Sequence, residues 1–248
     1  METLELRLFF DERVGEIKEY MALLEDIESA SREGPPRIES VTRRITTSQQ
    51  KILYSSLYLQ LYNLVEATVS RCMVAVGHAI QKSNSRPGEL RDELRREWVR
   101  STARTHVDMA PDKRLKHSIQ MAEALIGLLP IPKFDVDVGG GGSWDEDAIE
   151  SAGVRLGCEL SIQAPTRTAI KRVMRDEMGA LKLVKDRRNG LAHGSLSFVE
   201  CSDGVSVHEL TAMCEAIVKY LDEALQCFVD FIDGTNYLRS DIDPVSGS

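Results

Sequence analysis

Between Ser40 and Ser83 the chain carries Ile45, Ile52, Leu57, Leu61, Leu64, Thr68, Cys72, Val76 and Ile80, mostly at intervals of three and four. That period belongs to one apolar stripe on an α-helix. At the helical rise of about 1.5 Å per residue, the segment predicts a rod of about 60 Å. A rod of that length cannot bury its own stripe, so the other elements must pack around it as a spine.

The flanking pattern is also helical. Phe10, Val14, Ile17, Met21, Leu24 and Ile27 define a first helix, broken in SREGPPRIES (31–40) by Gly34-Pro35-Pro36. NSRPG (84–88) ends the spine. Residues 89–104 and 113–129 read as two shorter helices, separated near Pro111 and closed by Pro130 and Pro132. Phe134, Val136 and Val138 alternate as a short strand does, and Gly139 to Ser143 spells GGGGS, the composition of a flexible tether. From Thr166 a helix resumes with Ile170, Val173, Met174, Leu181 and Val184 on one stripe. LSFVE and VSVHE flank CSDG, which predicts a β-hairpin about Asp203-Gly204. A last helix, from about Glu209 to Asp233, buries Met213, Ile217, Leu221, Leu225, Phe228 and Ile232. The fold class expected is mainly α: a helical bundle with a long central helix and one or two small β-hairpins. It forms a single domain over residues 1–240, with a flexible Gly-rich loop at 139–143 and a disordered tail over 241–248.

Charge is distributed unevenly. The formal net charge is −8, which argues against a general polyanion binder. Residues 1–33 hold 4 basic and 10 acidic side chains, and residues 199–248 hold 2 and 10. Residues 165–190 reverse the balance with 8 basic against 3 acidic, and residues 86–117 hold 9 against 6. A basic run is often only a solvated helix face; the competing reading is a phosphate-binding surface. The five cysteines include no CxxC pair, so neither a zinc knuckle nor a disulfide framework is indicated, and a reducing cytoplasm fits. Neither a membrane span nor a secretory signal is expected.

The most basic run leads into RRNGLAHG (187–194). Read plainly, Asn189-Gly190 stops the helix, with Lys185, Arg187 and Arg188 in its last turn. The stripe complicates this, because Arg188 follows Val184 at i+4 and so points toward the packed side or a partner. A buried guanidinium is costly without an anion, and a phosphate matches its fork of donors. If the chain stays helical, Asn189 and His193 share one face, while Arg188 lies about 140° around from His193. One chain would then join Arg188 and His193 only awkwardly, whereas two chains could converge on one groove. No HxxxH, HExxH or carboxylate cluster is present, so neither a metal nor a cofactor is expected.

Arg188-Asn189 followed by three residues and His193 resembles the signature of HEPN (higher eukaryotes and prokaryotes nucleotide-binding) domains: an arginine, a polar residue, a short spacer and a histidine. FFDERVGEIKEYMALLEDIE, LYNLVEATV and RRNGLAHGSLSFVE, in that order, resemble the MAE-like HEPN nucleases of prokaryotic toxin and defence systems. The resemblance implies a HEPN-like bundle and a homodimer joining two motifs. It also implies a metal-independent endoribonuclease acting on RNA, with an antitoxin or defence-system protein as a possible partner. Arg188 and His193 match the two essential positions and Asn189 the polar one. Glu66 resembles the polar position on the preceding long helix, with Asn63 and Tyr62 as weaker candidates; Glu66 also reads as a plain helix-pairing carboxylate. Arg187, Lys185, Arg175 and Arg172 are the expected RNA contacts. The GGGGS stretch departs from the resemblance and bears on the connection there, not on the motif. The alternative is a catalytically silent HEPN module that binds nucleotides or a partner protein.

The chemistry implied uses RNA's own 2′-hydroxyl as nucleophile and leaves a 2′,3′-cyclic phosphate and a 5′-hydroxyl. Histidine titrates near neutrality, which suits proton transfer at either oxygen. Arginine suits the charge that grows on the phosphoryl oxygens.

Overall fold

The spine is α2 (Thr47–Lys82), about 54 Å long at the helical rise. In a computed structural model, which describes residues 2–36, 44–103, 110–139 and 144–239, it packs chiefly against four other helices. These are α1 (Glu2–Glu33), α7 (Ala180–His193), α8 (Phe198–Cys201) and α9 (Val207–Asp233). Because neighbours surround it, Leu57, Leu61, Tyr62, Val65, Val76 and Ile80 are all fully buried. Each such side chain contributes roughly 1.5–3 kcal/mol of burial, so this helix carries much of the core. Its start lies later than the stripe predicts. Thr46 caps it, accepting from the Gln49 N–H (3.2 Å) while Gln49 accepts from the Thr46 N–H (2.9 Å). Ile52, ahead of the crowded part, stays 42% exposed.

The stripes read for the first and last helices are both buried, from Phe10 to Ile27 on α1 and from Met213 to Ile232 on α9. Opposite its stripe, α1 turns Glu5, Asp11, Glu12, Glu19, Glu25 and Asp26 to solvent. Beside the main bundle lie α3 (Asp92–Ala103), α4 (Pro111–Ile126), α5 (Glu146–Leu156) and α6 (Ala164–Lys171). Pro111 opens α4 at its first turn, where its missing N–H costs nothing. The alternating stretch around Phe134 and Val136 is buried but unpaired. It is held by Glu97 of α3, which is 2% exposed. That carboxylate accepts from the Asp137 N–H (3.3 Å) and pairs with Arg155 (3.5 Å) and Arg100 (3.6 Å).

Three expectations require correction. No β-hairpin forms among the described residues. LSFVE and VSVHE instead contain two capping boxes. Ser197 and Glu200 exchange bonds of 3.2 and 2.9 Å to start α8, and Ser206 and Glu209 exchange bonds of 3.3 and 2.8 Å to start α9. The Asp203-Gly204 turn survives as a helix–helix connection, with Gly204 at φ 64°. The helix expected from Thr166 is two helices, broken where Asp176 (φ 50°) and Glu177 (φ 57°) take left-handed conformations; Val173 is left 63% exposed. Finally, α5 was not anticipated. Asp145 caps it by accepting from the Ala148 N–H (3.0 Å), and Gly157 ends it. Residues 140–143 of the Gly-rich loop and the tail over 241–248 lie outside the described residues.

Candidate active site on the motif helix

Asn189-Gly190 does not stop α7. The helix runs through both residues to His193, where Gly194 adopts a left-handed conformation (φ 72°) and its N–H closes on the Leu191 carbonyl at 3.3 Å. Glycine inside a helix costs about 1 kcal/mol relative to alanine, so Gly190 needs another explanation. A Cβ there would lie 2.6 Å from Leu196 Cδ1 and 3.0 Å from Leu196 Cγ. The chain leaves His193, folds back, and seats Leu196 on the bare glycine. Its N–H donates to the Gly190 carbonyl (3.1 Å), and the Ser195 hydroxyl donates to the same oxygen (3.3 Å). Gly190 is a seat for the returning chain, and His193 is the exposed residue at the turn.

Because the helix is unbroken, Arg188 lies about 140° around from His193 and about 7.5 Å along the axis. Arg188 is half-buried against α2, its guanidinium carbon 4.7 Å from the centre of the Tyr62 ring. Its Nη1 donates to Asn189 Oδ1 (3.1 Å). Among the described residues no carboxylate pairs with Arg188. Asn189 shares the face of His193 one turn back, and so sits between the two matched residues. Glu66 is half-buried on α2, one turn beyond Tyr62 on the same face, and no hydrogen bond or ion pair to it forms among the described residues. Asn63 lies elsewhere. It is exposed and lines a hollow between α1 and α2 with Phe9, Gln60 and Arg71.

The remaining basic candidates are distributed differently. Lys185 pairs with Asp145 ahead of α5. The Arg187 side chain is only 15% exposed and pairs with Asp176 and with Asp186 (3.3 Å). Arg175 donates to the carbonyls of Asp203 (2.7 Å) and Gly204 (2.6 Å) and approaches Glu209 at 3.5 Å, locking the turn before α9. Behind these arginines, burial pushes the Tyr58 hydroxyl up to about 12, against the opposing charges of Arg187 and Arg175, so it stays neutral in the core. Arg172 is exposed at the end of α6, on a groove with Pro165, Arg167, Lys171, Met174 and Ala216. Sequence reasoning missed Trp144 and Asp145. The Trp144 N–H donates to the Tyr62 hydroxyl (3.4 Å), and Asp145 ties α5 to α7. The capping signal at Asp145 was available in WDEDA. Among the described residues no group of three or more His, Cys, Asp or Glu is placed to hold a metal ion.

A bundle built on one long helix, with an Arg-Asn-x-x-x-His helix docked on it, defines a HEPN-type module. A model of the family described as MAE_28990-like HEPN matches residues 5–237, and the chain belongs to that family. No curated protein and no solved structure gave a match. Membership makes the chain a nuclease-type or nucleotide-binding module. No helix among the described residues is long and apolar enough to cross a membrane.

Proposed function

We propose that this protein is a metal-independent endoribonuclease whose active site is completed by two copies of the chain. The observation that carries the reading is the motif helix itself: an exposed His193 and an Arg188 with no carboxylate partner among the described residues, turned apart on one unbroken helix. A single helix presents them in different directions, whereas a two-fold pair of helices brings four such groups to one groove. The pairing we propose would use α2, where Ile52 (42% exposed), Asn63 and Val74 (39% exposed) recur every eleven residues on one solvent-facing line. Phe198, 37% exposed on α8, adds apolar area.

The 2′-oxygen of RNA attacks the adjacent phosphorus as its proton passes to a base. The bond to the 5′-oxygen breaks, and that oxygen takes a proton. The products are a 2′,3′-cyclic phosphate and a 5′-hydroxyl. His193 moves the protons, a role contributing on the order of 10²–10⁴-fold. Arg188 meets the growing phosphoryl charge, Asn189 orients the pair, and Glu66 borders the site from α2. Arg172 is free to meet the RNA backbone, while Lys185, Arg187 and Arg175 reach it only by leaving the partners described above. The setting we infer is a prokaryotic toxin or anti-phage effector in the cytoplasm, restrained by an antitoxin or defence-system protein.

His193→Ala and Arg188→Ala should each abolish cleavage of RNA while circular dichroism and the dimer mass are unchanged. Cleavage should persist in EDTA and stop when the scissile nucleotide is 2′-deoxy. Equal cleavage by wild type and His193→Ala refutes the reading and leaves the nucleotide-binding module.

A further inference from the structure

Arg187 and Arg188 are adjacent in sequence and held in opposite ways. Arg187 is gripped by its edge, where the N–H groups lie, through Asp176 and Asp186. Arg188 instead lies over the face of a Tyr62 ring that is fully buried in α2, its guanidinium carbon 4.7 Å from the ring centre, and spends only one donor, Nη1, on Asn189 Oδ1. The distinction matters because a guanidinium binds phosphate with its edge. An arginine fixed by carboxylates has spent those donors. One fixed by a π face keeps its plane oriented, keeps its charge stabilised, and leaves edge donors for an oxyanion. We infer that Tyr62 is a positioning residue: its ring sets the plane and reach of the Arg188 guanidinium toward the phosphate being cleaved. The inference rests on the proposed nuclease reading.

The ring is itself held. At its hydroxyl end the Trp144 N–H donates to it (3.4 Å), and the neighbouring Asp145 is tied to Lys185, one turn before Arg188 on the same helix. The chain of contacts therefore closes: ring, Trp144, Asp145, Lys185, motif helix, Arg188, ring. The circuit ties the helix that carries the arginine to the aromatic, while the ring is fixed chiefly by its burial in α2, so its face survives loss of the hydroxyl. Of these residues only Arg188 is assigned to the reacting phosphate, so Tyr62 acts on the rate as a positioning residue, without touching the substrate.

The test pairs a spectroscopic readout with a kinetic one. A guanidinium stacked on an aromatic ring has its Nε–H proton signal shifted upfield by the ring current. In the wild-type dimer one arginine Nε–H resonance, assigned by its loss in Arg188→Lys, should be so shifted. Tyr62→Leu should return it to the ordinary position, and Tyr62→Phe should keep it. On RNA, Tyr62→Leu should lower kcat roughly tenfold, about 1.4 kcal/mol in the barrier, with KM little changed, and Tyr62→Phe should recover the rate. Tyr62→Met, an unbranched filler of the same cavity, serves if the leucine variant does not fold. An unshifted Arg188 signal overturns the inference whatever the activity. A shifted signal with full kcat in the leucine or methionine variant overturns the positioning role and leaves the nuclease reading intact. Wild type and His193→Ala cleaving alike overturns the nuclease reading, and with it any role of Tyr62 in catalysis.

Discussion

The seat at Gly190 allows a prediction in which the sign of one mutation is reversed by another. In an ordinary helix interior, Gly→Ala gains about 1 kcal/mol. Here the new methyl would meet Leu196 Cδ1 at 2.6 Å and Cγ at 3.0 Å, and the Leu196 N–H is bonded to the Gly190 carbonyl at 3.1 Å. Displacing a half-buried leucine loses roughly 1 kcal/mol of burial, and weakening its hydrogen bond loses about 1 kcal/mol more. The net effect of Gly190→Ala in the wild-type background is therefore a loss of about 1 kcal/mol. In Leu196→Ala the clashing atoms are gone, and the remaining Cβ sits at an ordinary 3.4 Å. There, Gly190→Ala should stabilise by up to about 1 kcal/mol, giving a coupling of about 2 kcal/mol across the cycle. Urea unfolding of the four proteins measures it directly. If Gly190→Ala stabilises both backgrounds equally, Leu196 does not sit on Gly190, and the account of how His193 is presented fails with it.

Other predictions concern the scaffold. Glu97→Ala strips the Asp137 N–H and the partly exposed Arg155 of their partner and should lower stability by about 1–2 kcal/mol, read as a fall in Tm. Burial raises the Asp145 pKa, but hydrogen bonds from Lys185 and the Ala148 N–H outweigh it and hold the carboxyl below its ordinary value. Its contribution is thus present above the unfolded pKa and lost as pH falls through the folded one. Wild-type stability should therefore drop below about pH 4 more steeply than that of Asp145→Asn, in parallel acid titrations of unfolding. Arg187→Ala should lower Tm without changing the salt dependence of binding to a 2′-deoxy oligonucleotide. Arg188→Ala should reduce that slope by about 0.7 for the lost phosphate contact.

Where the chain's apolar period was long, the fold was legible. The stripes on α1, α2 and α9 persist over many turns, and a spine that long admits few arrangements other than a bundle around it. The orientation of Arg188 followed from the same periodicity, four residues beyond Val184. Errors arose where a residue type has more than one use. Asn189-Gly190 looks like a stop, but glycine also permits close approach, and only the position of Leu196 distinguishes the two. Alternation in LSFVE and VSVHE suggested strands, whereas the serine-to-glutamate spacing in both, Ser197 to Glu200 and Ser206 to Glu209, is a capping box. The Tyr62–Trp144–Asp145–Lys185 circuit could not be read at all as a unit, because it joins positions 82 residues apart through tertiary packing.

If the proposed nuclease reading holds, the acidic outer face of α1 has a consequence for how RNA would arrive. With a net charge of −8, the protein as a whole repels a polyanion at long range, and attraction is left to its basic segments, residues 165–190 leading into the motif and residues 86–117. Added salt, with a screening length of about 8 Å at physiological strength, weakens both effects together. Binding would then fall with salt only as far as its few phosphate contacts dictate, less steeply than for a basic ribonuclease that collects RNA over its whole surface. On the proposed nuclease reading, such a protein would meet RNA rarely and select it at short range, leaving a two-chain site idle except against strands that present the right phosphate to both copies.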